Sequence, residues 1–177
     1  MKPKINKLIS KSGIVETTFM NDKIILGYAK KNKQIVYGAR SIKKQSPTFA
    51  RNTVDYDIFS NNPKKAAMEV QKLLDKNAGF DFYYAKPAQH PGTWKIKSKG
   101  NDMKKNTIDD VGIADYTKPE TKVPFKTIDG IRYRNLKQEL IRKQKTVKDP
   151  EFAFRHKKDQ DDINRIKGFL KVKRLLK

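Results

Sequence analysis

Asp55 and Asp57 stand two residues apart in the β-type run Val54 to Phe59. Side chains of a strand alternate between faces, so both carboxylates leave one face, about 7 Å apart along the chain. Paired carboxylates repel, and a fold sets them together mainly where a cation lies between them. Mg²⁺ takes hard oxygen ligands of this kind together with substrate phosphates. Upstream, the short apolar run Gln34 to Tyr37 reads as a strand that stops at Gly38. A helix starting there would point its free N–H groups and dipole toward the same edge, a seat for phosphate. Nucleotide–metal chemistry would use both halves, whereas a hairpin with solvent-facing aspartates would use neither.

The elements that must position these residues come from a chain of 177 residues, enough for one domain, or a domain with a helical extension. Hydrophobic residues make up 36% and charged residues 34%, so the core is small and the surface crowded with charge. The net charge is +22, and the eight arginines leave 33 lysines. Part of that lysine bias can reflect coding composition, yet such a charge predicts attraction to polyanions. The absence of cysteine excludes disulfides and thiolate metal sites. Two histidines cannot build a zinc site alone. No apolar run is long enough to span a bilayer, and the basic N-terminus lacks the apolar stretch of a signal peptide. A soluble intracellular protein with no membrane partner is expected; viral or phage encoding fits.

Residues 1–12 read as a basic arm or short helix. Residues 18–33 follow a helical period through Phe19, Ile24, Ile25, Tyr28 and Ala29. Asn62-Pro63 opens a second helix with an apolar face of Ala66, Ala67, Val70, Leu73 and Leu74, and Gly79 stops it. Residues 80–85 and 93–96 read as strands, joined by a turn holding Pro87, His90, Pro91 and Gly92. A lysine- and asparagine-rich loop over residues 97–106 is expected to be mobile. Residues 111–116 form the next strand and carry Asp115 between apolar neighbours. Asp109 and Asp110, in the polar approach to that strand, compete with it as a third acid. Residues 125–134 read as a hairpin turning at Asp129-Gly130. Helices over residues 135–147 and 157–173 follow, restarted at Pro150. No Walker A, G-x-S-x-G, H-E-x-x-H or Cys/His cluster occurs, which removes the common ATPase, hydrolase and zinc readings.

With these residues in place, the chain resembles the nucleotidyltransferase superfamily, the polymerase-β-like fold, in the form of its small stand-alone or toxin-type members. The family signature is a Gly-Gly or Gly-Ser turn, a [DE]-x-[DE] strand and a third acid on a later strand. Gly38 and Ser41 stand for the turn, with Ser41 three residues after the glycine instead of adjacent. Asp55 and Asp57 stand for the pair, and Asp115 for the third acid. Arg51-x-Thr53-x-Asp55-x-Asp57 looks like the R-x-[ST]-x-D-x-D form of small members. The tail, with Leu140, Ile141 and Lys143 and then Lys158, Asp159, Asp162 and Ile163, is similar to helices that cover the nucleotide. The resemblance spans roughly residues 34–170.

What the resemblance implies is an α+β fold: a mixed, mostly antiparallel sheet with flanking helices and a C-terminal helical extension. It divides the chain into an arm and helix (1–33), a nucleotidyltransferase-like core (34–134) and a basic helical segment packed on the core (135–177). Asp55, Asp57 and Asp115 would be catalytic and would hold Mg²⁺, with Mn²⁺ as the alternative. Gly38, Arg40, Ser41, Lys43, Arg51, Thr53, Lys143 and Lys158 would bind the nucleoside triphosphate, Arg51 and Thr53 chiefly by bracing the turn. The reaction implied is transfer of a nucleoside monophosphate to a hydroxyl. The charge favours an RNA or DNA acceptor; a protein or small-molecule acceptor, and a non-enzymatic basic nucleic-acid-binding protein that keeps the fold, are the alternatives.

Overall fold

The computed structural model describes residues 11–175, with side chains from residue 20 onward. The first ten residues of the expected arm lie outside the described residues. One seven-stranded sheet organises the chain. Its strands are β1 (Ile35–Tyr37), β2 (Tyr56–Phe59), β3 (Tyr83–Pro87), β4 (Thr93–Ser98), β5 (Val111–Thr117), β6 (Phe125–Ile128) and β7 (Ile131–Arg134). They lie in the order β3-β4-β5-β2-β1-β7-β6. Only the β2–β5 and β1–β7 pairs are parallel; the other four are antiparallel. The fold is α+β with a mixed, mostly antiparallel open sheet, as expected.

One face of this sheet is apolar. Val36, Tyr56, Ile58, Ile96, Ala114, Tyr116 and Tyr133 pack against Ile25 and Ala29 of α1 (Lys11–Lys31), and against Ala66, Ala67, Val70 and Leu74 of α3 (Pro63–Ala78). Helix α3 follows local rules closely. Asn62 Oδ1 accepts the Lys65 N–H at 3.1 Å. Pro63 occupies the first turn, where its missing N–H costs nothing. Gly79 ends the helix with φ +80°, a left-handed conformation suited to glycine.

Two boundaries differ from the pattern reading. The expected strand over 80–85 begins only at Tyr83, because Asp75 Oδ1 accepts the N–H groups of Phe82 and Tyr83 and turns the chain there. The expected strand from Val54 begins at Tyr56. Arg40 takes the carbonyls of Val54 and Asp55, which leaves Asp55 in a bend beside the strand instead of within it. The loop after β4 is tied by carboxylates: Gly100 N–H donates to Asp110 Oδ1 at 3.2 Å, and Asn101 N–H to Asp109 Oδ2 at 2.7 Å. Tyr84 also donates to Asp110. The two competitors for the third acid are thus engaged in loop structure.

The other sheet face carries the helical half. α2 (Gly38–Gln45) leaves β1 directly, and a 3-10 turn (Pro47–Phe49) follows. α4 (Leu136–Thr146) begins at Asn135, whose side chain accepts the Lys137 N–H. A 3-10 segment (Pro150–Arg155) then leads into α5 (His156–Leu175). Ile42, Leu136 and Ile166 form a small second core between α2, α4 and α5. Beside it, fully buried Lys143 Nζ lies 2.7 Å from Asp159 and 2.8 Å from Asp162. That ion cluster holds α4 against α5. Among the described residues no helix is long and apolar enough to cross a membrane.

Candidate active site

Sheet pairing brings the sequence-distant acids together. β2 and β5 run parallel with Asp57 opposite Asp115, and Tyr56 and Ala114, one residue earlier on each strand, both point into the core. Alternation therefore sends both carboxylates to the opposite, open face. Asp55 precedes Asp57 by two residues, and its Oδ1 accepts from Thr53 Oγ1 at 2.5 Å. On the neighbouring strand β4, Lys95 pairs with Asp115 in register, and its ammonium lies 3.1 Å from Asp115 Oδ2.

The electrostatics show crowding at Asp57. Burial first, then the charge of Asp55, pushes its pKa up to about 6; Asp115 and Glu139 add to the rise and Arg142 opposes it. Burial also raises Asp115, with Lys95 working against the shift. Like charges in a half-dry site favour protonation, so this carboxylate group is short of positive charge.

Gly38 lies directly beneath this group. Its φ is +66°, and a Cβ built on it would stand 2.1 Å from Asp57 Oδ2. Glycine is needed there both for the backbone turn and for the carboxylate's close approach. The Gly38 N–H, however, is already taken: fully buried Glu139 accepts it at 3.0 Å. Glu139 in turn binds Arg142, whose Nη2 lies 3.0 Å away, and sits 3.9 Å from Arg134 Nε. Burial works against the Arg142 charge, but Glu139 and then Asp57 outweigh it and raise its pKa. Arg134 Nε is buried without a hydrogen-bond partner. Tyr37 and Phe59 stack at 4.0 Å on the open face, with Arg142 and Arg134 over their outer sides.

Several residues expected at the nucleotide are used elsewhere. Ser41 is fully buried and donates to the Arg134 carbonyl at 2.8 Å, so its hydroxyl joins α2 to β7 instead of facing a phosphate. Lys143 is sealed between Asp159 and Asp162 and does not reach the open face as a free cation. Arg40 bridges α1 and the Asp55 bend through Asp22, the Val54 carbonyl and the Tyr56 ring. Arg51 Nε lies 3.2 Å from Asp162, and Thr53 braces Asp55, so both support the loop. Lys43 reaches Asn52 on the surface, and Lys158 is exposed at the start of α5. Tyr83 and Tyr84 are buried.

Glu139, Arg142, Arg134 and Lys95 were not anticipated. Lys95 becomes legible once β4 is paired with β5, since alternation then puts it beside Asp115. Glu139 lies 101 residues from Gly38 and gives no local signal.

The carboxylates offer hard oxygen donors with excess negative charge, and the glycine cradle keeps bulk away from Asp57, so the donor set fits a divalent cation of the Mg²⁺ type. As placed, one oxygen of Asp55 is held by Thr53 and one of Asp115 by Lys95. No three acidic, histidine or cysteine side chains among the described residues are arranged as a preformed metal cage.

No protein-family model matches the chain, and no curated protein does. Solved structures do. The Megavirus polyadenylate synthase overlays with a TM-score of 0.70 and 23% identity over 89% of this chain. JHP933 from Helicobacter pylori overlays with a TM-score of 0.53 and 10% identity over 87%. A candidate nucleotidyltransferase of H. pylori overlays at 0.47 with 10% identity over 76% of the chain. The chain spans 32%, 65% and 59% of the lengths of these three proteins. The overlays show that this chain shares its fold with the Megavirus polyadenylate synthase and with JHP933.

Proposed function

We propose that this protein is a Mg²⁺-dependent nucleotidyltransferase that moves a nucleoside monophosphate from a nucleoside triphosphate to a hydroxyl on RNA or DNA. The observation that carries this reading is the in-register pair Asp57–Asp115, with Asp55 beside it, crowded enough to raise Asp57 to about 6.

Asp55, Asp57 and Asp115 would hold the cation. When bound, it supplies neutralisation of triphosphate charge and a lowered pKa at the acceptor hydroxyl. Asp115 would accept the proton that the hydroxyl loses as its oxygen bonds to the α-phosphorus and the bond to pyrophosphate breaks. Arg142 and Arg134 would meet the negative charge on the departing pyrophosphate. They would take the part expected of Arg40, Ser41 and Lys143; Arg134 Nε lies 3.9 Å from Glu139 and makes no hydrogen bond. Chemistry of this kind is mostly positioning and charge compensation, which a small rigid sheet can provide. The excess of basic residues, and the likeness to a protein described as a polyadenylate synthase, support a nucleic-acid acceptor.

The test is transfer of label from each of the four NTPs, with Mg²⁺ or Mn²⁺, to tRNA, single-stranded DNA and the protein itself. Label on a nucleic acid, lost in Asp57→Asn, supports the reading. Label on the protein alone would reassign the acceptor, and no transfer from any NTP would overturn the activity.

A further inference from the structure

Three rings stand in a row beside the turn that follows β3. His90 lies in the turn between β3 and β4. That turn is at the Thr93–Thr117 end of the sheet, two residues past Asp115 on β5. Phe152 reaches it from the segment between α4 and α5; the His90 and Phe152 rings are nearly parallel at 6.2 Å. Phe154 extends the row, 6.5 Å from Phe152. The helical turn breaks at Phe152, with φ −101° and ψ 19°, and the next ring points outward. Phe154 is 85% exposed.

The surroundings are basic. Lys145 and Lys148 precede the ring pair, Lys157 and Lys158 follow it, and all four are exposed. Among the acids nearby in sequence, Asp149 accepts the Glu151 N–H and is used in the turn, while Glu151 and Asp161 are exposed.

We infer that Phe154, with Phe152 and His90 behind it, is a stacking platform for an unpaired base of a single-stranded nucleic acid, whose flanking phosphates the four lysines meet. Every base has a π-face but a duplex hides it, so an outward ring in a basic surround selects single strands without reading sequence. Placed at one end of the open face, the platform would hold the acceptor strand as its terminal hydroxyl approaches Asp115. The inference deepens the proposed reaction and rests on a nucleic-acid acceptor.

Equilibrium binding of a labelled 15-nucleotide single strand to the full chain tests it without any need for turnover. Phe154→Ala should weaken binding roughly tenfold, within the range expected for removing one base stack. The dependence of affinity on salt should stay unchanged, because the ring neutralises no phosphate. Phe154→Trp should restore binding, and a duplex of the same length should bind wild type and Phe154→Ala alike. Lys157→Gln with Lys158→Gln should instead flatten the log–log salt slope by about 0.7 for each phosphate no longer neutralised. Single-strand binding by Phe154→Ala within twofold of wild type overturns the platform. So does a loss of self-association in sedimentation with strand binding intact, which would make the ring a protein contact. If Phe154 governs strand binding while no NTP is transferred by wild type, the platform stands and the proposed catalysis falls.

Discussion

Two clusters of aspartate lie on the helical side of the sheet, and they are built on opposite principles. Asp159 and Asp162 are fully buried, yet Lys143, Arg155 and Arg51 surround them. Burial alone would raise the Asp159 pKa, but Lys143 and then Arg155 bring it below the ordinary value. Asp55, Asp57 and Asp115 are less buried and worse compensated; burial and mutual repulsion raise Asp57. The first cluster is saturated with partners and holds α4 to α5. The second keeps unspent negative charge on an open face. A group kept at an electrostatic disadvantage in a cleft is suited to a cationic ligand, whereas a saturated one is suited to holding the fold.

The contrast can be broken most sharply at Lys143. Lys143→Met leaves two buried carboxylates without their central cation, and should cost about 3–5 kcal/mol in denaturant unfolding. A loss under about 1 kcal/mol would mean that Arg155 and Arg51 suffice.

Asp57→Asn should act in the other direction. It removes a carboxylate that burial and Asp55 push up to about 6, and should stabilise the metal-free chain by about 1–3 kcal/mol at pH 8. Mg²⁺ should raise the melting temperature of wild type and leave that of the variant unmoved. Destabilisation by this substitution would place Asp57 among the structural acids.

The pH dependence separates the clusters without mutation. The native pKa of Asp57 lies above its unfolded value, so the native state gains stability as pH falls from about 7 through 6 toward 4. Asp159 is depressed in the native state. Its contribution is present above its unfolded pKa and is lost as pH falls through the lower native one. Wild type should therefore gain stability between about pH 7 and 4 and lose it below, while Asp57→Asn keeps the loss and shows a smaller gain, the part owed to Asp115. Melting curves across this range decide it.

The smallest effect is expected at the basic tail. Lys171, Lys173 and Arg174 are exposed on the last turns of α5. Removing residues 171–177 should flatten the salt slope of single-strand binding by about 0.7 for each phosphate the tail neutralises. An unchanged slope would leave the acceptor to the platform and its lysines alone.

Much of this arrangement is legible in the sequence because its signals are local. Asn62-Pro63, Gly79 and Asp129-Gly130 act within a turn of themselves, and the helix and hairpin they mark fall where expected. Asp55-x-Asp57 also announces itself by spacing. Position relative to the interior is different in kind. Lys143 and Lys158 look alike in sequence, but one is sealed in an ion cluster and the other faces solvent. Ser41 sits beside a glycine turn, yet the amphipathic face of α2 turns it inward with Ile42. Only tertiary packing decides such cases, as it decides that Glu139 fills the donor position at Gly38.

The parallel pairing of β2 with β5 has a consequence for how the protein comes into being. Asp57 and Asp115 meet only after the chain between them has formed α3 and the β3–β4 hairpin and closed back on itself. Parallel contacts between distant residues carry a loop-closure entropy before they are rewarded, so they are slow to form. A chain emerging from the ribosome displays the Asp55–Asp57 pair long before it has a partner for it. The proposed chemistry would thus stay silent until β5 has been made and paired with β2.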